Sequence, residues 1–512
     1  MGGSAATGPR NFENSAALSR LQDLVVFVSC PLERGVGCFR SARLGTKVDS
    51  VGFVGSNVPT PTARSAHSEL LISPTAGMAT TAISAPGKVL LAGGYTVLDA
   101  GCRGLVFALS ARIHVVATPD PAGESGSFTV RSPQFDGAVW TYSARDPGDS
   151  SAVTVTQTNS DSSSANPFVA TALRYALSYL ALPSVPATTL TILADNDYYS
   201  QPPPPLPRFN NLGVPLSAAH KTGLGSSAAL VTAFTACLLS HLSSTDVKSH
   251  LHVLHNLAQA AHCAAQGKVG SGFDVAAATY GSCQYQRFQP SVLAAIPDPS
   301  DSSFTAKLQE TVRSQWPMTC APVALPPSLG LVLGDVRGGS ATPGMVRSVL
   351  DWRKNDADSQ VTWTALDARN RSLIDVVTEL PSSDDNGTAI TTAAPSITRR
   401  ITDIRTAVRS LGEKAGVPIE PPSQTALLDA VTASVPGALG GVVPGAGGYD
   451  AVCFLYVDAG DTGAKLREFL SKYQLENGVV RALEAREERE GVRVEDVGSY
   501  DDVKAYFDGL AL

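Results

Sequence analysis

Residues 220–229 read His-Lys-Thr-Gly-Leu-Gly-Ser-Ser-Ala-Ala, and apolar residues at helical spacing follow them. Glycines permit tight turns with positive φ, in which a backbone approaches a ligand closely. The spacing predicts a helix that begins at Ser226, whose unpaired N–H groups and positive dipole end form an anion site. The loop is therefore expected to bind the phosphates of a nucleotide. The predicted binding residues are Thr222, Gly223, Leu224, Gly225, Ser226, Ser227, Ala228 and Ala229.

Three other interpretations of this loop have to be weighed. Residues 223–228 fit the loose dinucleotide pattern G-x-G-x-x-A, but that pattern should follow directly after a buried strand, and residues 216–221 make a poor strand. A Walker P-loop needs G-x-x-x-x-G-K-[ST], which the sequence lacks. A glycine-rich helix cap without a ligand stays open for this motif taken alone.

Two further glycine-rich stretches flank the loop in the chain. Residues 84–95 read Ser-Ala-Pro-Gly-Lys-Val-Leu-Leu-Ala-Gly-Gly-Tyr, and residues 444–450 read Pro-Gly-Ala-Gly-Gly-Tyr-Asp. The three stretches, in this order, resemble the three motifs of the GHMP small-molecule kinase superfamily. Within that superfamily, the chain is similar over about residues 80–510 to the eukaryotic enzymes that act on 5-phosphomevalonate. The passages that carry this closer similarity are residues 92–99, 196–201, 220–225, 268–276, 338–343 and 419–424.

The resemblance implies an α+β fold, the two-domain fold of the GHMP kinases. Residues 78–325 would form the N-terminal ATP-binding domain, a ribosomal-protein-S5-domain-2-like half with a left-handed βαβ crossover, against the usual right-handed rule. Residues 326–512 would form a ferredoxin-like C-terminal domain, with the active site between the halves. The alternation of strand-like and helix-like runs along the chain agrees with a mixed fold.

Several element boundaries can be predicted from the pattern of apolar residues and turn formers. Short strands are expected on either side of Pro86-Gly87, at 81–83 and 89–91, and two more at 105–109 and 113–116. A polar loop is expected at 382–395. Helices are expected at 168–180, 245–265, 397–411 and 423–434.

The resemblance implies transfer of the ATP γ-phosphoryl group to 5-phosphomevalonate, with Mg²⁺ as the metal. A phosphate monoester has a second pKa near 6, so this acceptor is already mostly deprotonated at neutral pH. Repulsion between two polyanions is then the main obstacle, and such a kinase should depend on cations more than on a base. Lys88 and Lys221 are the leading candidates to flank the transferred phosphoryl group, since both lie in the motifs.

Asp274 matches the catalytic aspartate of the superfamily. We expect it to orient Lys88 or to assist Mg²⁺, although it serves as a base where the acceptor is an alcohol. Its structural alternative is the N-cap of a helix that begins near Val275. Ser226 is a candidate for contact with Mg²⁺ or the β-phosphate.

Contacts with the acceptor are harder to assign. Tyr95 is a candidate, with a core aromatic as the alternative, and Arg103, Arg337 and Arg347 are possible partners of a carboxylate or phosphate. The other candidates for the acceptor are His220, Lys268, Ser271, Ser340 and Thr342. The histidines between 241 and 262 are predicted to line a half-exposed helix face, because no partner stands at metal-binding spacing.

Composition narrows the remaining choices. Lys and Arg total 39 against 46 Asp and Glu, which counts against a protein that coats nucleic acid. The sequence contains no run of about 18 apolar residues, so it predicts no membrane-spanning helix. The eight cysteines form no cluster and are expected to be reduced thiols of a cytoplasmic protein. The sequence leaves the oligomeric state open, and the functional alternatives are another GHMP kinase (for mevalonate, a sugar or homoserine) or a non-catalytic ATP-binding relative.

Residues 1–77 differ from the rest, because they are rich in Ser, Gly and Ala and show little periodic pattern. We predict that residues 1–77 are a disordered or spurious extension and that the functional protein begins near Met78. The alternative is a disordered extension that is translated and remains part of the protein. A protein that begins at Met78 is therefore expected to fold and to retain full kinase activity. Circular dichroism and a kinase assay on the truncated protein check this, and loss of folding or of activity would contradict it.

Overall fold

The first eight strands of the fold belong to one large sheet. The computed structural model describes residues 79–503 except 162, 203–204, 337–341, 382, 384–386, 450 and 477, and residues 1–78, including the predicted extension, lie outside it. The strands are β1 (Thr81–Ala92), β2 (Arg103–Pro119), β3 (Ser127–Arg131), β4 (Val139–Arg145), β5 (Thr154–Gln157), β6 (Thr188–Ala194), β7 (Cys283–Gln286) and β8 (Thr319–Pro322). The main order is β1-β2-β6-β3-β4-β5; β7 pairs with β2, and β8 pairs with β7. β3 and β6 are parallel, and the other pairs named here are antiparallel.

β1 is one strand, so the prediction of two short strands broken at Pro86-Gly87 is wrong. The register with β2 shifts between Pro86 and Lys88, which places a bulge where proline cannot donate to the ladder. Gly87 allows a close approach here, because a Cβ would lie only 3.1 Å from the carbonyl oxygen of Leu224 and from the Tyr198 hydroxyl. The bulge thus lets the phosphate loop approach β1.

β2 is also continuous where two strands were expected. The charged residue that interrupts the apolar pattern, Arg112, is only 3% exposed. Its Nε donates to the Ser84 hydroxyl at 2.6 Å, and its backbone N–H donates to Asp195 Oδ2 at 2.8 Å. Because these partners satisfy the buried arginine, the strand continues through it.

Five helices accompany the large sheet. They are α1 (Pro167–Leu180), α2 (Ser226–Ser243), α3 (Leu251–Gln266), α4 (Phe273–Tyr280) and α5 (Phe304–Arg313). α2 contacts β1 and β2 as well as α1, α3 and α4, so it is surrounded by protein. Among the described residues α2 is the helix long and apolar enough to cross a membrane, but 78% of it is buried inside the structure, which accounts for its composition.

A second sheet is built farther along the chain. Its strands β9 (Leu329–Asp335), β10 (Ala438–Val442), β11 (Ala451–Val457) and β14 (Arg481–Ala482) are antiparallel in the order β10-β11-β9-β14. A small hairpin, β12 (Gln474–Leu475) with β13 (Gly478–Val479), precedes β14. The helices are α6 (Thr342–Asn355), α7 (Ser359–Thr378), α8 (Thr388–Ala415), α9 (Pro422–Ser434) and α10 (Thr462–Lys472). The polar loop predicted at 382–395 is wrong from Thr388 onward, because α8 begins there, with buried Ile390 as its first anchor.

The end of the described chain returns to the large sheet. β15 (Glu487–Glu488) pairs with β2, and β16 (Arg493–Val494) pairs with β1, which completes ten strands. The division of the chain at residue 325 stays a prediction. The six described cysteines are free thiols, and Cys30 and Cys38 lie outside the described residues.

A buried ion cluster ties α8 to the start of α9. Glu420 Oε1 accepts from Arg405 at 2.8 Å and from Arg409 at 2.7 Å, and the Glu420 carboxylate is 2% exposed. The preceding carbonyl, that of Ile419, accepts from Gly448 N–H at 2.8 Å. The cluster therefore fixes the segment on which the C-terminal glycine-rich turn rests.

Glu420→Gln is expected to lower the free energy of unfolding by about 3 kcal/mol, because it leaves buried Arg405 without its main counter-charge. Urea unfolding followed by circular dichroism measures this. The matched control is Asp429→Asn, which touches the same arginine but is 63% exposed, and it should cost less than about 1 kcal/mol. Equal effects for the two variants would contradict the greater contribution of the buried carboxylate.

Candidate active site

The three glycine-rich motifs meet at one cavity of about 890 Å³. Lys88 and Tyr95 come from the first motif, Gly223 and Gly225 from the second, and residues 444–447 from the third. The loop between α3 and α4 and one side of α6 complete the wall. A cavity of this size, lined by motif residues, is the default candidate for a substrate site.

Lys88 is the cation of the cavity wall that contacts the phosphate loop. It follows the β1 bulge, and its backbone N–H donates to the Leu224 carbonyl at 2.9 Å. Its Nζ donates to the Gly223 carbonyl at 2.8 Å. Burial lowers the pKa of Lys88, and the charge of Asp274 opposes that shift. The ammonium group is thus held against the phosphate loop, with a carboxylate close enough to act on it.

The phosphate loop adopts the conformation that its glycines predict. Gly223 and Gly225 have φ of 80° and 81°, and Gly225 is the residue before α2. A Cβ on Gly225 would lie 3.0 Å from Lys88 Cε, so the glycine makes room for the lysine. The Ser226 hydroxyl hydrogen-bonds to Tyr199, and the first N–H groups of α2 have no side-chain cap. An uncapped helix N-terminus beside a lysine is an arrangement suited to phosphate.

Asp274 lies in the first turn of α4 and lines the cavity. The alternative in which it caps that helix is wrong, because Gly272 occupies the N-cap position with φ of 84°. Asp274 Oδ1 accepts from the Val275 N–H at 3.0 Å. Its carboxylate therefore keeps lone pairs for a cation in the cavity.

Tyr95 links the first motif to the third. Its hydroxyl donates to the Ala446 carbonyl at 2.7 Å, and the residue is 4% exposed. It has φ of 62°, a conformation that costs a non-glycine residue of the order of 1–3 kcal/mol. The C-terminal turn is equally constrained, since a Cβ on Gly447 would collide with the Ile419 carbonyl oxygen. Tyr95 is thus both a buried aromatic and a wall of the cavity.

The remaining predicted site residues fall into separate groups. Lys268 and Ser271 line the cavity. His220 and Lys221 are exposed on the segment before the loop, which forms a bridge with Tyr199, and they lie outside the cavity lining. Leu224, Ala228 and Ala229 are buried, and Thr222 donates its hydroxyl to the Asp197 carbonyl at 2.5 Å. Ser340 and Arg337 lie outside the described residues, and Thr342 is described only as the first residue of α6.

His262 also lines the cavity, although the sequence did not predict it as a site residue. His262 Nε2 lies 3.1 Å from the Ser227 hydroxyl and 3.1 Å from Gln266 Nε2, and its ring stacks on Phe168. Burial lowers the pKa of His262, so its neutral form is favoured. The prediction of a half-exposed histidine face is wrong for His241, His255 and His262, which are all buried, because α2 and α3 pack against each other and against α1 and α4. His250 and His252 are half-buried, as predicted. The Ser227 contact spans 35 positions in the chain, so spacing could not reveal it.

α6 contributes a second group of wall residues. Arg347 and Asp351 lie one turn apart and both line the cavity, together with Leu350. Arg347 was one of three arginines considered for the acceptor, whereas Arg103 is paired with Asp375 at 3.0 Å. Only helical spacing relative to Arg347 could have indicated Asp351.

Oxygen donors suited to Mg²⁺ are available at the phosphate loop. The described residues hold no group of three or more His, Cys, Asp or Glu side chains placed to bind a metal. Mg²⁺ in phosphoryl-transfer sites needs only one or two protein ligands, because substrate phosphates and water supply the rest. Asp274 lines the cavity and fits that donor set, whereas the Ser226 hydroxyl is of a suitable type but Ser226 is not among the lining residues.

Comparison with known proteins agrees with this geometry. Residues 212–282 match the family model of the GHMP kinases N-terminal domain. The chain is 44% identical to the phosphomevalonate kinase of Gibberella zeae over 446 residues, covering 82% of this chain and 98% of that protein. It is 42% identical to the phosphomevalonate kinase of Aspergillus fumigatus, with the same coverage. The solved phosphomevalonate kinase of Streptococcus pneumoniae, in complex with phosphomevalonate and AMPPNP, shares the fold with a TM-score of 0.56 at 17% identity, covering 80% of this chain and 99% of that one.

The fold and the three motifs around one cavity define a small-molecule kinase of the GHMP superfamily, as the sequence predicted. The identity to the fungal enzymes extends through both sheets and nearly the whole of their length. The chain belongs to the phosphomevalonate kinase family.

Asp274→Asn should move the alkaline limb of the kcat/KM profile to lower pH. The Asp274 charge raises the pKa of buried Lys88, so its loss lets desolvation lower that pKa further. The protonated lysine is then lost earlier as pH rises, by about one pH unit. Initial rates from pH 6 to 10 measure the shift, with Glu310→Gln, an exposed carboxylate on α5, as the control. An unshifted limb would contradict the proposed pairing.

Proposed function

We propose that this chain transfers the γ-phosphoryl group of ATP to the phosphate of 5-phosphomevalonate, giving 5-diphosphomevalonate and ADP. The observation that carries the proposal is the full-length similarity to fungal phosphomevalonate kinases, with Lys88 and Asp274 in one motif-lined cavity. This reaction belongs to the mevalonate route to isopentenyl diphosphate and sterols.

The cavity offers space for two substrates. Ligand sites usually enclose about 300–1,000 Å³, and this cavity of about 890 Å³ is near the upper limit. The N-termini of α2 and α4 both open on it through glycines with positive φ. Two helix N-termini and a lysine around one space favour anionic ligands at both ends.

Lys88 is the proposed catalytic cation. An oxygen of the acceptor phosphate attacks the γ-phosphorus, the bond to the bridging oxygen breaks, and ADP leaves with that oxygen. The acceptor needs no general base, since its second pKa is near 6. Catalysis then depends on positioning and on charge neutralisation, for which an ammonium group held beside the phosphate loop is well suited.

Asp274 is proposed to orient Lys88 and to keep it protonated. The support is electrostatic, because the charge of Asp274 acts on Lys88 against the effect of burial. With Ser226, Asp274 would also hold Mg²⁺, which when bound neutralises phosphate charge. Assigning Asp274 to orientation fits an acceptor that carries no proton to remove.

The other roles remain proposals of the same kind. Lys221 is proposed as a second cation for the transferred group, reaching the site from the exposed segment before the loop. Lys268 and Ser271 are proposed contacts of the acceptor, supported by their place in the cavity wall. His220, Ser340 and Thr342 are proposed on the sequence resemblance alone. A cytoplasmic location also stays a prediction.

A substrate panel tests the function directly. With Mg-ATP, the protein is expected to turn over 5-phosphomevalonate at least a hundredfold faster than mevalonate, galactose or homoserine, because the site neutralises an anionic acceptor. Coupled ADP release measures the rates, and ³¹P NMR of the product detects the diphosphate. Lys88→Met, which keeps the length of the side chain but not its charge, should lower kcat at least a hundredfold. Preference for mevalonate would support another GHMP kinase, and no turnover would support a non-catalytic relative.

A further inference from the structure

Three consecutive side chains at the end of β7 donate to five carbonyl groups. The Tyr285 hydroxyl donates to Ser271 O at 2.9 Å, and Gln286 Nε2 donates to Ala100 O at 2.7 Å. Arg287 donates to the remaining three carbonyls. We call these side chains the carbonyl clamp (Tyr285, Gln286 and Arg287). None of them was singled out by the sequence or by the catalytic scheme above.

Arg287 is the member that joins two separate segments. Its Nη1 donates to Leu98 O at 2.5 Å, and its Nη2 donates to Val269 O at 3.2 Å and to Gly270 O at 2.6 Å. The residue is 7% exposed and lies against the ring of buried Phe288. A guanidinium is planar and has donors on both sides, so it can bridge two backbones that a lysine could not.

The three carbonyls that Arg287 binds belong to residues of the cavity wall. Leu98 lies in the segment that follows Tyr95, and Val269 and Gly270 lie in the loop that leads to Asp274. The side chain of Arg287 itself is outside that lining, so it acts from behind the wall. The same loop carries Lys268 and Ser271, the proposed acceptor contacts.

The loop of residues 268–272 packs tightly against the carbonyl clamp. Gly272 has φ of 84°, and a Cβ there would lie 2.8 Å from the Tyr285 hydroxyl and 2.9 Å from Phe288 Cε1. The loop therefore sits directly on the clamp. Its backbone carbonyls turn away from the cavity toward the clamp donors, which leaves the anionic substrates facing fewer carbonyl oxygens.

The charge of Arg287 is not cancelled by a contacting carboxylate among the described residues. The carboxylate that acts on it from a distance is Asp99. Asp99 is already held by two hydrogen bonds from Arg353, at 2.7 and 2.6 Å. Arg353 belongs to α6, the helix of Arg347 and Asp351, so the segment after Tyr95 is tied to a third wall as well.

We propose that Arg287, supported by Tyr285 and Gln286, is a positioning residue for the acceptor: it holds the 268–271 loop and the 98–100 segment in the spacing that binds 5-phosphomevalonate. The inference rests on the proposed function for the identity of the acceptor. Specificity at the acceptor end of the cavity then depends on a buried arginine that touches neither substrate.

Steady-state kinetics of Arg287→Lys and Arg287→Met test the proposal. Both variants lose the bridge, so both should raise KM for 5-phosphomevalonate at least tenfold while KM for Mg-ATP changes less than threefold. The matched control is Arg369→Met, and it should leave both values unchanged. Arg369 is an exposed arginine of α7 whose side chain, within the described part of the chain, bonds only to the Ala365 carbonyl of its own helix. If only Arg287→Met raises KM, the positive charge of residue 287 is sufficient, because Arg287→Lys keeps that charge. This result would overturn the proposed bridging role of the guanidinium group.

Tyr285→Phe provides the test if the Arg287 variants do not fold. It removes one hydroxyl donor and no volume, and it should raise KM for 5-phosphomevalonate about two- to tenfold. Amide hydrogen exchange of residues 268–272 should be faster in this variant and unchanged in Arg369→Met. Unaltered KM and unaltered exchange together would overturn the proposal. If the wild-type protein does not use 5-phosphomevalonate, the proposed function fails, whereas the exchange result still decides whether the clamp holds the loop.

Discussion

The contact between Lys88 and the phosphate loop is the interaction on which the site depends. Pro86 and Gly87 form a bulge in a buried strand, and the adjoining Lys88 N–H donates to the Leu224 carbonyl. The ammonium group of the same residue donates to Gly223. Lys88 thus holds the loop through its backbone, and its positive charge is available to a phosphate bound by the loop. The bulge thus accompanies the contact between two motifs that lie on separate elements.

The third motif is held by the segment that follows β1. The Tyr95 hydroxyl reaches the Ala446 carbonyl, and the Glu420 cluster holds Ile419 beneath Gly447 and Gly448. Tyr95 keeps a strained backbone to make this contact, and such strain persists only where the surroundings determine it. The hydrogen bond of Tyr95 and that of Gly448 therefore hold the third motif at the cavity wall.

Helices and motif loops were the predictable part of this molecule. The end of α1 and the start of α2 follow from apolar spacing and glycine, which are local properties. The continuity of β1 was missed because proline and glycine weaken a strand, and here a bulge accommodates Pro86 and Gly87. The continuity of β2 was missed because a buried arginine needs partners, which for Arg112 are distant in the chain. α8 was predicted too short since its first turns carry threonines and a proline, and packing of Ile390 overrides their weak propensity. His262 and Arg287 were missed because the contacts that tie them to the site, with Ser227 and with the carbonyls of three cavity-wall residues, span 17 to 189 positions.

The sequence alone determined the class of site, because glycines with positive φ, a lysine after a proline-glycine pair and an aspartate at a helix start are local requirements of phosphate chemistry. It also determined that cations had to be gathered locally, since the net charge is −7. Only the tertiary structure decided which candidates share the cavity: Lys88, Asp274, Lys268 and Ser271 lie in its wall, while Lys221 and His220 lie on the surface. The physical reason is that each motif depends on residues that are adjacent in the sequence. The distances between motifs depend instead on the packing of two sheets and on buried hydrogen bonds, which sequence spacing does not reveal.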